Sequence, residues 1–354
     1  MLSRRARTLT VFAAVLTAAT GLSACSSSGS SKSGSSAGAG STSSSNSSSS
    51  SAKSTSLKLV AYSVPKPAYD ALGTAFAKTP AGAGVSLAGA YGPSGTQEKN
   101  VAAGQKADYV AFSTGSDMNK LEQAGKVAAD WDAGPTKGIV ADSVVVIVVK
   151  KGNPLGIKGW ADLIKPGVKI VTPDPASSGS AKWNILAAYQ HVIQTGGTPA
   201  QAQAYLKSFF SHVVSRASSG AVATTQFTSG TGNVLISYES EAILARQKGL
   251  SLDYIVPDQD VLIETPAAVT KGAPKAASDF LSYVESSAGQ AIFASHGFRP
   301  VDTSVKPTDV KGANDPSNPY PVVQKLFTVG SLGGWSKVND EFFGDNGIVT
   351  KIEK

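Results

Sequence analysis

The chain has 354 residues, of which 41% are hydrophobic, a formal net charge of +7 and a single cysteine. Arg4, Arg5 and Arg7 supply three of these charges, and the remaining +4 is spread among interspersed Lys, Asp and Glu, which argues against a nucleic-acid-binding surface with its dense basic stripe. A lone cysteine excludes an internal disulfide and argues against zinc and iron–sulfur sites. About 298 residues follow Ser56, enough for a large core and for two lobes.

The N-terminal segment combines the three arginines with a mostly apolar stretch, residues 9–16, that is too short to span a bilayer. It ends in Leu-Ser-Ala-Cys at Cys25, an ending that resembles the lipobox of bacterial lipoproteins. The resemblance implies that residues 1–24 are a signal peptide and that Cys25 carries a diacylglycerol on its thiol after cleavage. The alternative is an ordinary signal peptide cut near Ala24. Both predict a protein that works outside the cytoplasm.

Residues 25–56 consist, after the cysteine, almost entirely of Ser, Gly, Ala and Thr. Such a segment has too few apolar groups to offset the entropy of ordering, so we predict a disordered linker whose ends lie about 30 Å apart. Its place after a lipidated cysteine suggests a leash that holds the folded part near the membrane. No later stretch has eighteen uninterrupted apolar residues, so attachment is expected through the lipid alone.

From Leu57 onward, strand-like runs alternate with helical patterns. Strands are predicted at 57–62, 85–91, 107–112, 144–149, 168–171, 213–214 and 234–238. Helices are predicted after Pro65, from Thr198-Pro199, where a capping residue precedes a first-turn proline, and over 274–284. This alternation predicts an α/β fold with mainly parallel sheets, and the β-branched run at 144–149 indicates a strand buried on both faces.

Several kinds of chemistry have no signal in the chain. The three histidines, His191, His212 and His296, are far apart and have no metal-ligand spacing, and no acids mark a catalytic pair. There is no phosphate-binding loop, dinucleotide fingerprint or nucleophile elbow, so no cofactor and no metal are expected. A serine hydrolase using Ser94 or Ser178 with a distant histidine stays open as an alternative.

Small hydroxyl residues and glycines cluster between predicted strands and the helices that follow them. The three turns are 91–97, 176–181 and 217–221. The first backbone N–H groups of a helix have no internal partner and lie at the positive end of its dipole, so three such turns at the ends of parallel strands predict an oxyanion receptor. The alternative for each turn alone is an ordinary helix cap.

The sequence also resembles the sulfate and thiosulfate binding proteins, the extracytoplasmic receptors of sulfate ABC importers. The motifs that carry the resemblance, which spans about residues 57–354, are Lys151-Gly152-Asn153-Pro154, Trp160, Asp162 to Val168, Thr172-Pro173, Ser178-Gly179, Trp183-Asn184, Gly232 to Ile236, Glu239, Glu241-Ala242, Gly289-Gln290, Phe298-Arg299-Pro300, Leu326-Phe327 and Gly333-Gly334-Trp335. It implies a two-lobed type II periplasmic-binding-protein fold. Lobe one would comprise 57–140 plus 257–354, and lobe two 141–256.

Carried over position by position, the resemblance implies which residues hold the anion. The backbone N–H groups would come from Ser94, Gly179, Ser180 and Ala221, and the hydroxyl of Ser178 would add a side-chain donor. Ser63 would supply a further backbone donor and Tyr238 a further side-chain donor. Glu239 and Glu241 are expected at the surface or facing the hinge.

The ligand that the resemblance implies is sulfate, and the residues of the turns fit it. Sulfate at neutral pH carries no proton, whereas phosphate carries one that needs an acceptor, and none of the three turns contains Asp or Glu. The sequence departs from the family at Tyr238, usually Trp, at Ser180, usually Gly, and at Val222, commonly Arg. Thiosulfate, molybdate or another oxyanion therefore remains an alternative ligand. The expected partners are an ABC permease and the membrane, and the expected state is a monomer.

Overall fold

The computed structural model describes residues 54–353, and these belong to one compact unit of the chain. The predicted signal peptide, the lipidation site Cys25 and most of the predicted linker lie outside the described residues. The linker was predicted to end at Ser56, but the first strand begins at Thr55, whose N–H donates to the carbonyl of Gly84 at 2.9 Å. The last two residues assigned to the linker are therefore part of the sheet.

Three parallel strands, with helices between them, form one end of the sheet. We call these strands and helices the first half of the molecule. Its elements are β1 (Thr55–Tyr62), α1 (Lys66–Phe76), β2 (Val85–Gly92), α2 (Ser94–Ala102), β3 (Tyr109–Ala111) and α3 (Gly115–Gln123). Strand β1 pairs in parallel with both β2 and β3. The carboxyl ends of the three strands therefore meet at one edge of the sheet.

The other end repeats this arrangement, and we call it the second half. Its elements are β5 (Ile170–Pro173), α4 (Gly179–Gln194), α5 (Pro199–Ser211), β6 (Val213–Ala217), α6 (Gly220–Thr228), β7 (Val234–Tyr238), α7 (Glu239–Gln247) and β8 (Leu252–Ile255). Strand β5 pairs in parallel with β6 and β7. Helix α5 begins as the sequence predicts, with Thr198 and Gln201 forming a reciprocal capping box.

Two long strands, β4 (Ile139–Lys150) and β9 (Gln259–Val269), join the halves. The strand order is β2-β1-β3-β9-β4-β7-β5-β6, and every antiparallel pairing in the described sheet involves β4 or β9. The run Val144–Val149 is buried, as its β-branched sequence predicts. The sheet is thus parallel within the halves and antiparallel at its centre, because the chain crosses between the halves through these two strands.

The C-terminal region packs back onto both halves. Its elements are α8 (Lys275–Glu285), α9 (Ser287–Ser295), β10 (Lys325–Phe327), α10 (Gly334–Val338) and α11 (Ile348–Glu353), with a short 3-10 turn at Gly330–Leu332 and a π-helical turn at Asn339–Phe343. A further 3-10 turn, Trp160–Ile164, lies between β4 and β5. The predicted α/β class is confirmed. The lobe boundaries near residues 140 and 257 stay a prediction.

Candidate functional site

All three predicted Gly/Ser turns open helices directly after strands. Helix α2 begins at Ser94 after β2, α4 begins at Gly179 shortly after β5, and α6 begins at Gly220 shortly after β6. One turn lies in the first half and two in the second, so the sheet order brings helix N-termini from both halves toward one point. Positive dipole ends that converge in this way favour a negatively charged ligand.

The turns meet at a small cleft between the halves. Its lining residues are Tyr62, Ser63, Val64, Gly92, Pro93, Ser94, Ser113, Ser178, Gly179, Ser180, Ser219 and Gly220. No Lys, Arg, Asp or Glu is among them. About 10 Å³ is left open inside the cleft, roughly the space that one water molecule needs, so its walls are almost in contact.

Five of the residues carried over from the family lie together here, and two do not line the cleft. Ser63, Ser94, Ser178, Gly179 and Ser180 line it. Ala221 lines a neighbouring cavity of about 520 Å³. Tyr238 is fully buried behind the cleft. Ser113 was not predicted, whereas Ser219 and Gly220 belong to the predicted turn 217–221 but were not named as ligands.

Most of the first backbone donors of the three helices are left free by the local capping pattern; the exception in α2 is Gly95, whose N–H donates to the carbonyl of Ser177 at 3.2 Å. Pro93 and Ser178, which precede α2 and α4, make no side-chain cap to their helices. Ser219 caps α6 by accepting from the N–H of Val222 at 3.3 Å, which leaves the first two N–H groups of that helix without a capping partner. Gly179 and Ser180 likewise have no hydrogen-bond partner for their N–H groups in the described chain.

Two glycines let the walls of the cleft approach each other. A Cβ on Gly179 would lie 2.7 Å from both Cβ and Oγ of Ser113, in the opposite half. A Cβ on Gly220 would lie 2.6 Å from Oε2 of Glu241. Glycine at position 179 therefore allows the two halves to pack closely, and glycine at position 220 leaves room for the Glu241 side chain of the same half.

The hydroxyl of Ser94 is already committed within the first half. It donates to Oδ2 of Asp117 at 2.7 Å and accepts from the N–H of Ser113 at 2.9 Å. What Ser94 can offer to a ligand is its backbone N–H. Asp117 is buried in the first turn of α3, and no local sequence signal links it to Ser94.

The hydroxyl of Tyr238 contacts the first half rather than the interior of the cleft. It lies 2.7 Å from Oγ of Ser113, and burial raises the pKa of Tyr238, so the phenol keeps its proton. Ser113 lies two residues after the end of β3 and just before α3, as the predicted turns lie between a strand and a helix. The same rule that identified those turns would have found it.

Glu239 and Glu241 are buried, which corrects the expectation that they lie at the surface. Glu239 pairs with the guanidinium of Arg299, with its Oε2 2.7 Å from Nε. Glu241 accepts from the hydroxyls of Ser237 at 2.7 Å and Thr224 at 3.3 Å, and burial raises its pKa to about 7. Tertiary packing thus brings an acid beside the α6 turn, which contains none of its own.

The hydrolase alternative finds no base. The hydroxyl of Ser94 is bonded to Asp117, and that of Ser178 lies 2.8 Å from Oγ of Ser180. The histidines lie elsewhere: His212 contacts the carbonyl of Val168 and His296 that of Ile292. His191 stacks beside Trp160. Neither serine has the imidazole partner that nucleophilic catalysis requires.

Residues 54–353 contain neither a metal-binding cluster nor a membrane-spanning helix. Nowhere in this range do three or more His, Cys, Asp or Glu side chains group in a way that would hold a metal ion. Nor does any helix in the range reach the length and apolar character needed to cross a membrane.

Comparisons with known proteins identify the family to which the chain is similar. The family model described as bacterial extracellular solute-binding protein matches residues 57–299. The sulfate-binding protein of Synechococcus elongatus is 40% identical over 307 residues, which cover 84% of this chain and 86% of that relative. The thiosulfate-binding protein of Pseudomonas aeruginosa is 30% identical over 83% of this chain and 90% of its own length.

A solved structure supports the same relationship. The sulfate-binding protein SubI from Mycobacterium tuberculosis H37Rv superposes with a TM-score of 0.77 at 41% identity. The match covers 82% of this chain and 100% of that one. The two-lobed type II fold that the sequence implies is confirmed.

Proposed function

Because the chain belongs to the bacterial extracellular solute-binding proteins, we propose that it is the substrate-binding component of an ABC importer and that it captures sulfate in the cleft between its halves. The observation that carries the proposal is the convergence of three helix N-termini, with unpaired N–H groups and no charged side chain, on one enclosed point. Relatives named for sulfate and thiosulfate binding give the ligand class.

The proposed ligands of the anion are neutral donors. The backbone N–H groups of Gly179 and Ser180 would act from α4 and that of Ala221 from α6, and Ser94 and Ser63 would act from the first half. The hydroxyl of Ser178 would add one side-chain bond. Several charge-assisted hydrogen bonds together offset the cost of burying a dianion, so the site needs no lysine or arginine.

Tyr238 has a proposed role that differs from direct donation. Its hydroxyl is bonded to Ser113, which itself lines the cleft. A phenol that donates to Oγ of Ser113 leaves the serine hydroxyl proton free to reach the anion. In this arrangement Tyr238 polarises the donor and does not contact the ligand, which accommodates the replacement of the family's usual tryptophan.

The cycle that we propose follows from the dimensions of the cleft. With about 10 Å³ open inside it, a tetrahedral oxyanion cannot enter without separation of the halves. Contacts with N–H groups from both halves then favour closure around the anion, and the closed form delivers it to the permease.

The decisive experiment is calorimetric titration with sulfate, thiosulfate, molybdate and phosphate. We expect one site, with sulfate bound more tightly than phosphate because no cleft residue is a carboxylate that accepts the phosphate proton. Tighter binding of thiosulfate or molybdate would reassign the ligand within the class. No heat with any oxyanion, together with ester cleavage abolished by Ser178→Ala, would instead establish the hydrolase alternative.

We propose in addition that Cys25 is lipidated after removal of residues 1–24 and that the mature receptor is a monomer tethered outside the membrane. Support comes from the lipobox-like ending of the leader and the Ser-rich stretch after it. Labelling cells with a radioactive fatty acid tests the anchor. Cys25→Ser should abolish the label and Ser28→Ala should not, whereas a label that persists in Cys25→Ser would overturn it. Sedimentation of the purified protein tests the monomer.

A further inference from the structure

A concave basic surface lies at the edge of the sheet opposite the cleft. It encloses about 590 Å³, and we call it the basal basin. Its walls come from four segments: the start of β1, the loop before β3, the loop after α3 and the loop after β9. Along β1 the basin and the cleft are separated by the seven residue steps from Ser56 to Ser63, a distance of about 23 Å.

Each of the four segments contributes one lysine. These are Lys58, Lys106, Lys126 and Lys271, and the only acid in the lining is Asp108. The carboxylate of Asp108 accepts from the backbone N–H of Lys58 at 2.8 Å. Within residues 54–353, none of the four ammonium groups is in an ion pair. The basin therefore carries a local excess of positive charge.

Backbone hydrogen bonds hold the four segments in fixed positions. The N–H of Asp108 donates to the carbonyl of Lys58 at 2.8 Å, and the N–H of Lys271 donates to that of Lys126, also at 2.8 Å. Thr270 joins the two pairs, because its N–H donates to the carbonyl of Asp108 at 3.1 Å. The lysine backbones are thus preorganised, and a partner pays ordering entropy for the side-chain stems alone.

The Ser-rich stretch joins the folded unit at the rim of this basin. The described chain starts at Ser54, and Ser56 is itself a lining residue. Whatever attaches at Cys25 is therefore covalently connected to the basic edge of the molecule and not to the edge that bears the cleft. The partner of the basin should therefore be negatively charged, and it should lie next to the anchor, because the Ser-rich stretch leads from the anchor to the rim of the basin.

We propose that the basal basin docks on the anionic phospholipid headgroups of the membrane to which the protein is tethered. In this position the cleft faces the medium, so the unliganded receptor samples external sulfate, and it leaves the lipid surface to reach the permease. The docking extends the proposed lipid anchor and is independent of the identity of the ligand in the cleft. Each lysine close to an anionic bilayer increases the affinity of a protein for the bilayer about fivefold, and added salt reduces this effect.

The test uses the chain from Ser26 onward, which lacks the leader and the acylation site and retains the part that folds in the solved relative. Its sedimentation with phosphatidylglycerol-containing vesicles is compared with that of a variant in which Lys58, Lys106, Lys126 and Lys271 are changed to Gln. The matched control changes four exposed lysines elsewhere, Lys207, Lys306, Lys311 and Lys351, and has the same net charge.

We expect binding to anionic vesicles and not to phosphatidylcholine vesicles, a loss of at least a hundredfold in the basin variant, and a loss of less than tenfold in the control. Sulfate affinity should be equal in all three proteins, which separates this result from a failure of the proposed function. Equal losses in the basin variant and the control would overturn the proposal. So would binding of inorganic phosphate by the basin without any binding to vesicles.

Discussion

The hydroxyl of Ser113 lies 2.7 Å from the hydroxyl of Tyr238, and this contact joins the end of β3 to the end of β7. The carbonyl of Ser113 also accepts from Nε1 of Trp183 in α4 at 2.7 Å, while its N–H donates to Ser94 at 2.9 Å. One serine of the first half is thereby bonded to two elements of the second. If the halves separate as proposed above, these contacts of Ser113 break, together with the bond from the N–H of Gly95 to the carbonyl of Ser177.

Tyr238→Phe removes the phenol oxygen from this contact and keeps the ring. We expect sulfate affinity to fall about threefold to tenfold, because one neutral hydrogen bond of the closed form is lost. Calorimetry measures the affinity. Tyr205→Phe is the matched control, since its buried hydroxyl bonds the carbonyl of Trp160 away from the cleft. If both variants bind sulfate like the parent protein, the contact does not contribute to closure.

Ser178→Ala removes the serine hydroxyl of the second half that the proposal assigns to the anion. The expected loss is about 1.5–3 kcal/mol of sulfate binding free energy, the contribution of a hydrogen bond to a charged group. Ser211→Ala, at an exposed position at the end of α5, should bind normally. Calorimetric titration of both variants with sulfate measures the affinity. An unchanged affinity in Ser178→Ala would mean that the anion binds elsewhere.

Gly179→Ala separates closure from folding. The added methyl group would lie 2.7 Å from Ser113 of the opposite half, so it obstructs the closed form, whereas alanine within a helix is otherwise favoured over glycine by about 0.5–1 kcal/mol. We expect a melting temperature without sulfate that is unchanged or higher, and almost no further rise when sulfate is added. Adding Ser113→Gly removes the two nearest atoms and leaves Cγ2 of Thr114 at 3.0 Å, so it should restore part of the response. A full sulfate response in Gly179→Ala alone would contradict this account.

Glu241 makes stability depend on pH. Burial raises its pKa from 4.5 to about 7, and Lys248, the positive group that favours its ionised form, is a weaker influence. The folded state therefore holds a proton that the unfolded state releases from about pH 4.5 upward, so the stability contribution is full below that pH and is lost as pH rises through 7. The cost of ionisation reaches about 3 kcal/mol above neutrality.

Glu241→Gln should remove the part of the loss in folding stability at rising pH that comes from ionisation of Glu241. Denaturant unfolding between pH 4.5 and 8 should show a flatter profile than in the parent protein, while the exposed Glu341→Gln keeps the parental slope. Some decline should remain, because burial also raises the pKa of Asp142 to about 7. A parental slope in Glu241→Gln would mean that the acid is solvated in the folded protein.

Much of the site could be predicted because its signals are local. Gly179 and Gly220 begin helices that directly follow strand-forming runs, and a turn of small residues followed by a helix is written in consecutive positions. The same holds for the capping box of Thr198 and for the buried run 144–149. The family motifs added the ligand class, since they too are read from neighbouring residues.

The sequence by itself therefore determined the elements, the turns and the donor chemistry, since backbone N–H groups at a helix start are oriented by that helix alone. Only the tertiary structure decided which donors share a cleft and what lies behind them. Ser113 meets Tyr238 across 125 positions, and Glu241 reaches the α6 turn only because β7 and β5 are adjacent in the sheet. The order of strands and the approach of helices are set by packing of the whole core, and this information is not present in any one segment.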